Sequence, residues 1–259
     1  MPITAGLEGV PDGDCRAVLR LCEQLASDSG PARRGLDYCH SLYLEEVLFL
    51  DRMLGRLLER IDGSGRETVL LLTGDHGEQF GEHGLAVHAN SVYEPLLRVP
   101  FFLRGPGFRP GRLAGPPHLR DVVPTFLAAA GLDADPGLGG RDLARELAPR
   151  PHVAAQTSML NQRGEDYPRH LAAARAGGWK LTVAFSREDP RLRPTPLELF
   201  DLALDPAELH NLHGERPEVA EQLMAHYLEA AAAWQGPAAA DTSADRSEML
   251  RELGYAGDH

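Results

Sequence analysis

Residues 68–100 read TVLLLTGDHGEQFGEHGLAVHANSVYEPLLRVP, and the order of parts in this stretch decides the fold. Val69 to Leu72 are four consecutive aliphatic residues; Thr73-Gly74 break the run, and Asp75-His76-Gly77-Glu78 follow at once. A short apolar run closed by glycine suits a central strand of a parallel sheet with helices on both faces. Ligands collect at the carboxyl ends of such strands, which places Asp75 and His76 at a binding edge. Asp-His-Gly-Glu alone is also ordinary turn chemistry. The neighbourhood changes the balance, because Glu78, Glu82, His83 and His88 crowd oxygen and nitrogen donors into the same loop.

Upstream, Leu36, Tyr43, Leu44, Val47, Leu48, Leu54, Leu57, Leu58 and Ile61 recur at helical spacing until Gly63-Ser64-Gly65. This predicts a helix over 36–61, packed on the sheet. Residues 1–35 read as a loop with one short amphipathic helix around Val18 to Leu25. Downstream, Phe101 to Leu103 form a second buried strand, and His118 to Leu127 open a helix that ends at Gly131, with Asp121 at its start. Arg98 and Arg104 are candidate anion contacts, Arg98 being read as a structural partner of the loop. Pro149-Arg150-Pro151 marks a boundary, giving segments 36–150, 151–235 and a tail over 236–259. Beyond that boundary the pattern predicts short strands at His152 to Thr157, His170 to Ala176, Trp179 to Phe185 and Leu197 to Leu202. Gly177-Gly178 supplies a hairpin turn. Pro217 to Trp234 is an amphipathic helix that covers the resulting antiparallel sheet. Lys180 reads as a surface lysine at a strand start.

Bulk properties exclude some functions. A net charge of −12 over 259 residues and a pI near 5.3 give no basic footprint for nucleic acid. No apolar run approaches the length of a membrane helix, and the N-terminus shows no signal peptide, so the chain as written is expected in the cytoplasm, or in the periplasm or outside the cell if the true start lies upstream. Cys15, Cys22 and Cys39 have neither disulfide-framework nor zinc spacing.

The central stretch resembles the second half of the sulfatase family, within the alkaline-phosphatase-like superfamily of metal-dependent ester hydrolases. The shared pattern is an apolar strand, S/T-x-D-H/N-G-E, G-E-H-G, a Lys or His, an aromatic-Glu pair, and R-V-P before another strand. Here it is carried by Thr73, Asp75, His76, Gly77, Glu78, Gly81, Glu82, His83, Gly84, His88, Tyr93, Glu94, Arg98, Val99 and Pro100. Glu198-Leu199-Phe200-Asp201-Leu202, Asp205-Pro206, Glu208 and Asn211-Leu212 resemble the family's C-terminal motif, and Arg175 to Leu181 its R-x-x-x-x-K-L pattern.

The resemblance implies an α/β fold, a mostly parallel sheet sandwiched by helices, incomplete here, with a small C-terminal antiparallel sheet plus helix. It implies that Asp75 and His76 are ligands of a divalent metal, calcium first and manganese or zinc as alternatives. His88 stands where the family usually has a lysine that grips the sulfate, so it is the candidate catalytic residue, as anion clamp or general acid. His83 is read as an organiser of the loop. The implied substrate is a small-molecule or sugar sulfate ester, with no nucleic-acid or membrane partner.

The family's formylglycine nucleophile arises in a Cys/Ser-x-Pro-x-Arg motif, and its first acidic metal ligands end an opening strand. The chain is expected to lack both. Cys15-Arg16-Ala17-Val18-Leu19 lacks the proline and the spaced arginine, and Cys39-His40-Ser41 fares no better. The expectation is therefore a truncated or split sulfatase whose N-terminal half is missing. A phosphate or phosphonate ester hydrolase of the same superfamily and a non-catalytic remnant are the alternatives.

Overall fold

The structure, a computed structural model, describes residues 30–232 apart from 89, 114, 134, 147, 149, 157–169, 187–190, 192 and 193. The expected helix around Val18 to Leu25, Cys15, Cys22, and the tail over 236–259 lie outside the described residues.

Helix α1 (Gly30–Asp62) starts six residues earlier than the periodicity indicated and runs for 33 residues. It stops where Gly63 donates to the Glu59 carbonyl at 2.9 Å and Gly65 takes a φ of 68°, a turn that glycine makes without Cβ strain. Near its start, Leu36 and Cys39 pack on Ala86, and the rings of His40 and Tyr43 lie 4.8 and 5.1 Å from that of Phe80. Further along, Leu44, Val47, Leu48, Phe49, Leu50 and Leu57 are 43–58% exposed. The expectation of a helix packed on the sheet along its length is corrected here. A helix of this length spans about 50 Å, and the sheet beside it is two strands wide among the described residues.

Those strands are β1 (Leu70–Thr73) and β4 (Phe101–Arg104), paired antiparallel with Leu72 opposite Phe102. On this edge β1 thus has an antiparallel neighbour, and no parallel neighbour of β1 lies among the described residues. A parallel neighbour needs a crossover of a dozen or more residues, usually a helix. The chain between β1 and β4 holds instead the hairpin β2 (Gln79–Phe80) and β3 (Ala86–Val87), and the single turn α2 (Glu94–Leu97). After β4, a 3-10 turn over Leu119–Asp121 leads into α3 (Val122–Ala129). Asp121 is fully buried; it accepts from the backbone N–H groups of His118 and Arg141 and pairs with Arg150. The bond from His118 closes a capping box on the 3-10 turn, whereas α3 itself has no side-chain cap from Asp121.

The C-terminal part is a four-stranded antiparallel meander: β5 (His152–Gln156), β6 (His170–Ala176), β7 (Trp179–Phe185) and β8 (Thr195–Asp201). One face carries Ala172, Ala174, Leu181, Val183 and Leu199, which pack against Ala220, Leu223, Tyr227 and Ala231 of α4 (Pro217–Ala232). Leu228 of the same helix is 44% exposed. The opposite face carries Arg175, Lys180, Glu198 and Phe200, and it meets the loop between β1 and β4. Among the described residues, no helix is long and apolar enough to cross a membrane.

Candidate active site

The Asp75-His76-Gly77-Glu78 loop leaves β1 and is pinned at once. The Gly77 N–H donates to the Leu96 carbonyl at 2.9 Å, and a Cβ at Gly77 would lie 1.9 Å from the Pro95 carbonyl oxygen. Only glycine permits so close an approach of two backbones. The carboxylate of Asp75 accepts the His76 N–H through Oδ1 at 2.9 Å. The His76 ring places Nδ1 2.9 Å from the Gly77 carbonyl oxygen. A carbonyl only accepts, so Nδ1 carries a proton; in the neutral ring the lone pair is then on Nε2, the arrangement of a metal-ligating imidazole oriented by a backbone carbonyl. That Nε2 lies 3.8 Å from Asp75 Oδ2.

His88 joins from the far end of the loop, its ring stacked on His76 with centroids 4.3 Å apart. Its Nδ1 donates to Glu78 Oε2 at 3.0 Å. This hydrogen bond raises the His88 pKa above the ordinary imidazole value; burial opposes the rise, and the charges of Glu78 and Asp75 reinforce it. Asp75, His76 and His88 line one cavity of about 660 Å³, with Glu94, Arg98, His118 and Arg175 also on its wall. The loop thus brings together all three sequence-predicted site residues. Asp75 and His76 place one carboxylate oxygen and one ring nitrogen side by side on that wall. Among the described residues, no group of three or more His, Cys, Asp or Glu converges to hold a metal.

His83, read as a loop organiser, does not line this cavity. It takes a left-handed φ of 56° and stacks on Tyr93 at 3.7 Å and 9°. Arg104 pairs with Asp62 at 2.7 Å; Arg98 lines the cavity.

Two groups escaped the sequence reading. Lys180 is not a surface lysine: it is fully buried, 2.5 Å from Glu208 and 3.4 Å from Glu94. Burial pushes its pKa down, against the pull of Glu208 and Glu94. Glu94 also receives Arg175 Nη1, at 3.1 and 3.2 Å to its two oxygens. The Glu94 N–H donates to Glu208 at 2.6 Å, and Tyr93 donates its hydroxyl to Glu198. The signal was available in Arg175-Ala-Gly-Gly-Trp-Lys180: across a Gly-Gly hairpin those two cations face each other directly, a repulsive arrangement unless a carboxylate sits between them.

The expected absence of a Cys/Ser-x-Pro-x-Arg run is corrected by the sequence itself. Ser29-Gly30-Pro31-Ala32-Arg33 fits it letter for letter. Ser29 lies outside the described residues, and Gly30 is the first residue of α1, where serine and proline are also ordinary helix-start chemistry.

Comparison with known proteins agrees with this layout. The sulfatase family profile matches residues 22–132. The chain is 29% identical over 218 residues to choline-sulfatase of Rhizobium meliloti, covering 82% of this chain and 41% of that protein. It is 31% identical over 189 residues to arylsulfatase K of Mus musculus, covering 67% of this chain and 32% of that protein. The crystal structure of the putative sulfatase YidJ from Bacteroides fragilis superposes with a TM-score of 0.58 at 18% identity, over 90% of this chain and 48% of that one. The chain therefore spans well under half the length of these curated relatives. By its matched profile, its relatives and its fold, the chain belongs to the sulfatase family, with that family's alkaline-phosphatase-like α/β architecture.

Proposed function

We propose that the chain supplies part of the active site of a metal-dependent hydrolase of sulfate esters. The observation that carries this reading is the pair Asp75 Oδ2 and His76 Nε2, 3.8 Å apart on the wall of a cavity shared with His88. The fixed tautomer of His76 suits it to a cation. A divalent ion, calcium or alternatively manganese or zinc, would draw charge from the non-bridging oxygens of the ester. Two ligands fall short of the four to eight that such ions take. The remaining ligands and the attacking group are assigned to residues beyond those described, in a complementary segment that carries the N-terminal half of a sulfatase unit or, for the attack, in Ser29 of this chain. His88 donates from Nε2 to the sulfate or to the leaving oxygen, with Glu78 fixing the ring through Nδ1. The substrate class is a small-molecule or sugar sulfate ester, in keeping with relatives named as a choline-sulfatase and an arylsulfatase.

The test is calorimetric titration of the full chain with Ca²⁺ and Mn²⁺, followed by titration of the loaded chain with phenyl sulfate and phenyl phosphate. One cation per chain is expected, lost in Asp75→Ala. Phenyl sulfate is expected to bind in the cation's presence and to weaken about tenfold in His88→Gln. Preference for phenyl phosphate would move the reading to phosphate esters. Turnover of phenyl sulfate by the chain alone would show that it carries its own nucleophile, and Ser29 would be the first residue to substitute.

A further inference from the structure

Arg175 lines the cavity, and the proposed chemistry leaves it unused. It reaches the cavity from β6, on the C-terminal sheet. Its side chain is 21% exposed, whereas Lys180 opposite it is completely enclosed. Among the described contacts, Nη1 alone of its three nitrogens engages a protein partner, and it does so with both oxygens of Glu94. Glu94 is itself held by Lys180, which is anchored on Glu208. A buried chain of charges thus fixes the guanidinium by one corner, and the edge formed by Nε and Nη2 remains as a paired donor. That edge matches the two oxygens of a carboxylate or sulfate. The two cations and two carboxylates of the network cancel, so an anion is held there by directed hydrogen bonds more than by net charge.

We propose that Arg175 is a specificity-determining residue that binds a second anionic group on the substrate, so that the preferred ester is one bearing a carboxylate or a further sulfate besides the sulfate to be cleaved. This rests on the reading of Asp75, His76 and His88 as the sulfate end of the cavity. Lys180, the other cation of the R-x-x-x-x-K-L stretch, is the anchor that holds Glu94 and through it Arg175.

The test compares binding of benzenesulfonate and 4-sulfobenzoate to the full chain with Ca²⁺ present, by calorimetry, for the native sequence, Arg175→Gln and Arg175→Lys, with circular dichroism to check folding. The native chain is expected to bind 4-sulfobenzoate about tenfold more tightly than benzenesulfonate. Arg175→Gln is expected to erase that preference and leave benzenesulfonate unchanged. Arg175→Lys, which keeps the charge but not the fork, is expected to retain only part of it. Equal weakening of both ligands would overturn the proposal, because Arg175 would then be gripping the cleaved sulfate. Absence of preference in the native chain would overturn it as well. If His88→Gln leaves benzenesulfonate binding unaltered, the sulfate-end reading fails, whatever the Arg175 variants show.

Discussion

Gly77 shows how tightly a single residue sets the candidate site. Its missing Cβ would sit 1.9 Å from the Pro95 carbonyl oxygen, a contact with backbone that no rotamer change relieves. Substituting Gly77→Ala must therefore push the Asp75-His76 loop away from α2 and break the Gly77 N–H bond to Leu96. A loss of about 2 kcal/mol is expected, read as a drop in melting temperature of about 4–8 °C. Gly55→Ala is the control, since a Cβ added there in α1 would meet nothing within 4 Å. There alanine is expected to stabilise by about 0.5–1 kcal/mol. An unchanged melting temperature for Gly77→Ala would mean that the loop is not pinned as described. Asp75, His76 and His88 were legible in the sequence because strand, turn and donors are contiguous. The tautomer of His76 was not, since it depends on where the Gly77 carbonyl points.

At the scale of elements, the join between the α2 turn and the C-terminal sheet is a buried charge network rather than an apolar seam. Lys180 is enclosed with Glu208 at 2.5 Å and Glu94 at 3.4 Å. Removing one partner of such a pair strands the other without solvent, at a cost of about 3–5 kcal/mol. Lys180→Met is expected to lose that much in urea unfolding, and Lys180→Met with Glu208→Gln to recover part of it, because the second change removes one stranded charge. Strictly additive losses would show that the two groups do not interact. The strands of this sheet and α4 were legible from alternation and helical periodicity, which are local properties. The burial of Lys180 was not, since Glu94 lies 86 residues away in the chain. The antiparallel pairing of β1 with β4 was hidden for a similar reason: an apolar run specifies burial, whereas its partner strand is chosen by the path of the loop between them.

At the scale of the whole molecule, the exposed face of α1 governs behaviour in solution. Among the described residues, a run of exposed apolar side chains lies on the helix, at Leu44, Val47, Leu48, Phe49, Leu50 and Leu57. Leu44, Val47 and Leu48 share one side of the helix at i, i+3 and i+4, and exposed apolar surface of this kind drives association in water. The net charge of −12 works against it, since like-charged chains repel, and salt screens that repulsion. Self-association of the full chain should therefore strengthen as salt is raised from low to physiological levels, the opposite of an interface built on ion pairs. Leu44→Glu with Leu48→Glu, one turn apart on α1, should restore the monomer in sedimentation velocity without loss of helical circular dichroism, because glutamate is a good helix former. Association that weakens with salt, or that survives both substitutions, would place the contact on another surface and leave the α1 face without a role in it.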